Sequence, residues 1–156
     1  MQIRKLVESD YTSFLKLNKE LDELHVEARP DYFVHRDDVF PKEAFDANLA
    51  NPESLMLGVF DEEEAMIGFV RGTLWNKSGM VTTLKTACLD DIYVVPAHRR
   101  GGIARQLFAE VEQWARAQGA IRLELLTWDF NQGAIATYRA MGMTPQRYVF
   151  EKKLQP

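Results

Sequence analysis

With a single cysteine, Cys88, the chain can form no internal disulfide and has no second thiolate for a zinc site. Its 3 histidines show no metal-ligand spacing, so no metal centre is expected. No apolar run approaches the roughly 20 residues that span a bilayer. The opening residues MQIRKLVESD lack the apolar core of a secretion signal, so a cytoplasmic protein with no membrane role is expected. Positive charge is also short: 19 Lys and Arg stand against 23 Asp and Glu, a net charge of −4. Nucleic-acid binders usually show a basic face, so none is expected here, and a cationic small substrate suits the chain better.

The chain has 156 residues, 46% hydrophobic and 27% charged, which are ordinary globular values. That length buries roughly two thirds of its surface, enough for a core without staples. No repeat, low-complexity tract or long linker divides it, and a single domain over residues 1–156 is expected.

The apolar pattern alternates between strands and helices. QIRKLV reads as a strand, after which Ser9 or Asp10 caps a helix whose apolar face is Phe14, Leu17, Leu21 and Leu24. VEARPDYFVHRDDVF reads as a loop or irregular helix, and a short helix follows, opened by Pro41 and closed before Asn51-Pro52. SLMLGVFD and AMIGFVRGTLW, joined by Glu62-Glu63-Glu64, predict an antiparallel hairpin. TTLKTACLDDIYVV is a long β run, and a helix over 100–118 follows, with Ile103, Leu107, Val111, Trp114 and Ala115 on one face and Gly119 as its stop. AIRLELLTW is the next strand, parallel to the one before because a helix intervenes. A helix over 132–141 ends at Gly142, and QRYVFEKKL reads as a terminal strand.

The turn between the long β run and its helix, VVPAHRRGGIARQLFAE, carries an electrostatic contradiction. A helix N-terminus already holds about half a positive charge, so Arg99 and Arg100 each cost about 0.3–1 kcal/mol there unless an anion is bound. A strand feeding a Gly-rich turn into a helix offers free backbone N–H groups to a phosphate. Gly101 and Gly102 let the backbone approach it, and Arg99, Arg100 and Arg105 add charge-assisted hydrogen bonds. An ordinary turn with solvated arginines is the plainer alternative. The pattern is neither a G-x-x-x-x-G-K-[ST] phosphate loop nor a G-x-G-x-x-G dinucleotide fingerprint.

In this turn the sequence resembles the GCN5-related N-acetyltransferase family. The family's acetyl-coenzyme A signature, Q/R-x-x-G-x-G/A, matches Arg99-Arg100-Gly101-Gly102-Ile103-Ala104 after the strand LDDIYVVP. A second family pattern, an asparagine followed by alanine, tyrosine and a helix-ending glycine, matches Asn131, Ala134, Tyr138 and Gly142. The resemblance implies an α/β fold with a mixed, mainly antiparallel central sheet, one parallel strand pair around the 100–118 helix, and helices on both faces. It also implies acetyl-coenzyme A as acetyl donor. The main chain of Arg100 to Arg105 would hold its pyrophosphate, and Ile92, Tyr93 and Val94 its pantetheine arm. Asn131 would contact the pantetheine end, with Gln132 to Ala134 completing the channel.

Acetyl transfer to an amine requires loss of a proton by the amine, stabilisation of the carbonyl oxygen and protonation of the departing thiolate. Tyr138 holds the family's general-acid position, although a core aromatic is the alternative. Asp90 matches the acidic position that serves as base in some members. Strand alternation puts Asp90, Ile92 and Val94 on one face and Asp91, Tyr93 and Val95 on the other, so only one aspartate points into a cleft unless a bulge intervenes. Both aspartates could instead bind water or the amine cation. The backbone N–H near Val94 is the natural oxyanion donor. Cys88 as an acetyl carrier lacks an activating base and reads as a structural thiol, while His98 lies in the phosphate turn and reads as solvated.

For the acceptor, ELDELHVEARPDYFVHRDD holds seven acidic residues and two arginines around Tyr32 and Phe33. This suits a cationic amine held by carboxylates such as Glu23 and Glu27 and an aromatic wall, with a solvated acidic surface as the alternative. A small-molecule amine is the expected acceptor. A protein lysine or N-terminus, or a non-catalytic acyl-coenzyme A sensor, stays open, as does a homodimer.

Overall fold

Alternation of apolar residues along five segments builds one sheet, which the computed structural model describes together with its helices for residues 1–77 and 84–154. The strands are β1 (Gln2–Lys5), β2 (Ser54–Phe60), β3 (Met66–Lys77), β4 (Leu84–Val94) and β5 (Arg122–Leu125), and they lie in that order. Neighbours pair antiparallel except β4 and β5, which are parallel because α3 (Ile103–Ala117) carries the chain across between them. The remaining helices are α1 (Tyr11–Ala28), α2 (Lys42–Ala50) and α4 (Gln132–Ala140). The contacts divide the chain into two compact units, Met1–Leu126 and Thr127–Pro156.

In the first unit each sheet face is covered because each strand alternates. Phe14 and Leu17 of α1 and Phe45 of α2 bury against Met56, Phe60, Phe69 and Tyr93. The Phe14 ring sits 4.9 Å from that of Phe69 and 5.1 Å from those of Phe40 and Phe45. The opposite face meets α3, where Ala115 packs on Leu74 and Ala87 and where Leu107 and Val111 are also buried. The predicted α1 stripe holds for Phe14, Leu17 and Leu21 but not for Leu24, which is exposed because the helix outruns the core. Asp10 does not cap α1 with its side chain. Its carboxylate instead accepts two bonds from Arg4, at 2.7 and 2.9 Å, and one from the Val7 N–H at 2.8 Å, tying β1 to the start of the helix.

Two further expectations are corrected. β5 spans four residues rather than the whole of AIRLELLTW, since β4 pairs with it only from Thr86 to Leu89. The terminal strand expected in QRYVFEKKL is absent: among the described residues 146–154 form no ladder, and β-prone residues make a strand only against a partner. Thr82 and Thr83, the predicted start of the long β run, lie outside the described residues. In the second unit the Asn131 side chain accepts the Ala134 N–H at 3.2 Å and opens α4, and Gly142, at φ 88°, ends it.

Candidate active site

The pairing of β3 with β4 slips by one residue. Arg71 faces Asp91, but the next residue, Gly72, faces Leu89, so Asp90 is an extra residue in β4. This bulge changes which way the two aspartates point. Arg71 and Thr73, two apart on β3, share a face. Asp91 accepts hydrogen bonds from Arg71, with Nε and Nη2 each 2.7 Å from its Oδ2, while the Thr73 hydroxyl donates to Asp90 Oδ1 at 3.2 Å. Both carboxylates therefore lie on the α1 side of the sheet, beside Phe40, whose ring lies 4.6 Å from the Arg71 guanidinium. Asp90 Oδ2 is buried and, among the described residues, has no hydrogen-bond partner. Burial pushes the Asp90 carboxyl above the usual carboxylate range, against the opposing pull of Arg71 and of hydrogen bonds from Thr73 and Cys88.

Beyond the bulge β4 keeps β3 on one side and loses β5 on the other, since the β5 pairing stops at Leu89. Val95 donates its N–H to Ile67 O at 3.0 Å, and antiparallel alternation then aims the main-chain groups of Ile92 and Val94 away from β3, toward the side where β5 has ended. The Val94 carbonyl accepts Arg99 Nε there at 2.8 Å. The Tyr93 side chain is buried and donates its hydroxyl to Glu20 Oε2 at 2.9 Å, with Arg99 5.4 Å from its ring. Burial and, next, the Glu20 carboxylate raise the Tyr93 pKa, so the phenol stays protonated.

After β4 a single 3-10 turn, Pro96–His98, leads to Arg99, then to Arg100 at φ 66°, Gly101 and Gly102 at φ 81°. A non-glycine in this left-handed region is uncommon and here bends the backbone where the chain must turn into α3. Gly102 is the N-cap and no side chain caps the helix. The first helical bond runs from Gln106 N–H to Gly102 O at 3.1 Å, leaving the N–H groups of Ile103, Ala104 and Arg105 pointing out of the helix end. The Ile103 side chain is buried, so only its main chain faces a ligand. Arg99, Arg100, Arg105 and His98 are exposed. This cradle of amides and guanidinium groups fits a phosphate-bearing ligand.

In the second unit Tyr138 is half-buried on α4, and Asn131 caps that helix. The acid-rich segment is partly paired with itself: Arg29 bonds Asp31 at 2.8 Å and His35 Nδ1 lies 3.0 Å from Glu23.

The family profile described as acetyltransferase (GNAT) family matches residues 19–143. The chain belongs to this family. It is an N-acetyltransferase with acetyl-coenzyme A as donor. An aminoglycoside N(6')-acetyltransferase type 1 from Acinetobacter genomosp. 13 is 30% identical over 107 residues, 67% of this chain and 73% of that protein. A thialysine N-epsilon-acetyltransferase from Caenorhabditis elegans is 42% identical over 50 residues, 32% of this chain and only 31% of that relative's length. Among solved structures, a mutant of the BH1408 protein from Bacillus halodurans has a TM-score of 0.94 at 28% identity, covering 99% of this chain and 100% of that one.

Within this acetyltransferase three residues bond the candidate groups of β4 without any sequence motif to mark them. Arg71, Thr73 and Glu20 carry no motif, and their positions depend on strand register and helix packing. Arg71 had one detectable signal, a lone charge inside the apolar run AMIGFVRGTLW, facing a strand that carries two aspartates. A cavity of about 230 Å³ between α2, β2 and Trp114 shares no residue with this cluster.

Proposed function

We propose that this acetyltransferase moves an acetyl group directly to a primary amine of a small cationic molecule, with Asp90 as base and Tyr138 as acid. The carrying observation is the β4 bulge, where Asp90 shares a face with Asp91 and has a raised pKa and a buried Oδ2 without a hydrogen-bond partner among the described residues. A carboxylate of raised pKa, its other oxygen held by Thr73, is suited to take a proton from an ammonium group whose own pKa is about 10. Arg71 neutralises Asp91 and leaves Asp90 as the proton acceptor of the pair.

For the donor, the main chain of Arg100 to Arg105 suits the pyrophosphate, with the guanidinium groups of Arg100 and Arg105 adding charge. The amides of Ile92 and Val94 suit the pantetheine arm by strand-like pairing, and the Val94 N–H suits the oxygen that gains charge. Arg99 holds the Val94 carbonyl and shapes this edge. Ile103 and Ala104 contribute main chain, and Tyr93 supports the edge through its Glu20 bond. Bound acetyl-coenzyme A supplies an acyl carbon activated as a thioester. Asp90 removes the amine proton as nitrogen bonds that carbon, and Tyr138 returns a proton to sulfur as the carbon–sulfur bond breaks. Asn131, by its match to the family pattern, meets the pantetheine end.

The aminoglycoside acetyltransferase relative makes an aminoglycoside the first acceptor to test, and polyamines the second. A cytoplasmic site of action accords with the buried thiol of Cys88. Thiol release from acetyl-coenzyme A against an amine panel tests the reading, with Asp90→Asn and Tyr138→Phe alongside the natural chain. Each variant is expected to lower kcat by about 10²–10⁴-fold with donor binding retained. Unchanged turnover in Tyr138→Phe removes the acid assignment, and unchanged turnover in Asp90→Asn removes the base.

A further inference from the structure

The chain's single thiol sits beside the candidate base. Cys88 is buried on β4. Strand alternation puts Ala87 and Leu89 on the α3 side and Cys88 with Asp90 on the α1 side. Two positions along one strand face lie roughly 6.5 Å apart, a gap that a thiol and a carboxyl close between them. Across the ladder Cys88 pairs with Thr73, the residue whose hydroxyl donates to Asp90 Oδ1 at 3.2 Å. Register therefore gathers Cys88, Thr73 and Asp90 into one cluster, in which the thiol donates a hydrogen bond to the Asp90 carboxyl. A buried thiol ordinarily acts as a small apolar group. Here its neighbours are a hydroxyl and a carboxyl.

We propose that Cys88 is a positioning residue for acetyl transfer, its thiol and the Thr73 hydroxyl together holding one oxygen of the Asp90 carboxylate so that the other stays available to the acceptor amine. This role rests on the proposed reading of Asp90 as the base. Oδ2 has no hydrogen-bond partner among the described residues, which suits both donors meeting at Oδ1. Two donors fix the plane of the carboxylate where one lets it pivot. A hydrogen bond to the ionised form also favours that form, so Cys88 works with Arg71 of β3 against burial and against Asp91, its like-charged neighbour on β4. From α1, Glu20 reaches this side of the sheet and is bonded to Tyr93. A thiol is a weak donor that adds no charge, so it orients the carboxylate without competing for it with a cationic acceptor.

Because Cys88 is the only cysteine, the chain has one S–H stretching band in the infrared. In the natural chain that band is expected at the lowered frequency of a bonded thiol, and is expected to move up in Asp90→Asn and when acid is titrated into the natural chain. A band that neither change moves overturns the proposal, and this readout needs neither turnover nor a variant that folds. In kinetics, Cys88→Ala is expected to shift the acid limb of the kcat/KM profile to higher pH by about half a pH unit, roughly a threefold loss on that limb, with the KM for acetyl-coenzyme A unchanged. Cys88→Ser keeps a donor and is expected to return the limb most of the way. An unmoved limb in Cys88→Ala overturns the role, as does a limb that moves equally in both variants, which marks packing alone. Full turnover in Asp90→Asn removes the base reading and the positioning role with it, while the S–H band still reports whether the bond exists, so the two failures are told apart.

Discussion

Asp90 and Asp91 share one face of the sheet because of one extra residue in a strand. Ala87 and Leu89 face α3, so regular alternation puts Asp90 on the α1 face and would turn Asp91 back toward α3; the bulge keeps both carboxyls on the α1 side. Asp90 thus lies with Asp91 beside Arg71 and Thr73, and among the described residues its Oδ2 has no hydrogen-bond partner. Arg71 is the lever on its acidity. Because the guanidinium favours the ionised form, Arg71→Met should raise the Asp90 pKa further. On the proposed reading of Asp90 as base, more of it is then protonated at any given acidic pH, so the acid limb of the kcat/KM profile should move to higher pH. Thr73→Val should move it the same way by less. A pH–rate profile with the limb unmoved in Arg71→Met would show that some other group titrates there.

At the scale of elements, the start of α3 and the junction of β1 with α1 each make a separable prediction. Gly102 caps α3 in the left-handed region, where any side chain is strained by about 1–2 kcal/mol. Gly102→Ala should therefore weaken coenzyme A binding by about tenfold. Calorimetric titration measures this, and turnover at saturating donor should change far less. The β1–α1 junction is an acid-sensitive joint. The Arg4 guanidinium, and after it the Val7 N–H, hold the Asp10 carboxyl below its ordinary value against the opposing effect of burial. Since the folded-state pKa is the lower one, the stabilisation is complete above the ordinary aspartate value and is lost as pH falls through the folded value. Asp10→Asn should lower the melting temperature at neutral pH and flatten its fall on the acid side, as thermal scans across pH would reveal. Much of α3 could be read in advance because its signals are local: Gly102, the apolar repeat from Ile103 to Ala115, and Gly119. The capping of α1 could not, because Asp10 chose Arg4 across the junction over its own helix.

At the scale of the whole molecule, the first unit stands on a ring of phenylalanines contributed by α1, α2, β3 and the chain before α2. Phe14 is fully buried at its centre. Phe14→Ala should cost about 3–5 kcal/mol, read as a large drop in unfolding midpoint with little change in the donor affinity of the surviving folded protein. The order of strands and helices, the hairpin of β2 and β3, the parallel crossover through α3 and the phosphate-fitting turn were all determined by the sequence itself. Each is set by periodicity or by glycine and arginine at fixed local spacing, and such signals survive without knowledge of the fold. The tertiary structure alone decided that Asp90 and Asp91 share a face, that Arg71 and Thr73 bond them and Glu20 bonds Tyr93, and that QRYVFEKKL forms no strand within the described chain. Those outcomes depend on register against a partner strand, on a helix brought to β4 from far away in sequence, and on whether an edge finds a mate. No stretch of residues carries its own partner with it, so pairing could only be read after folding.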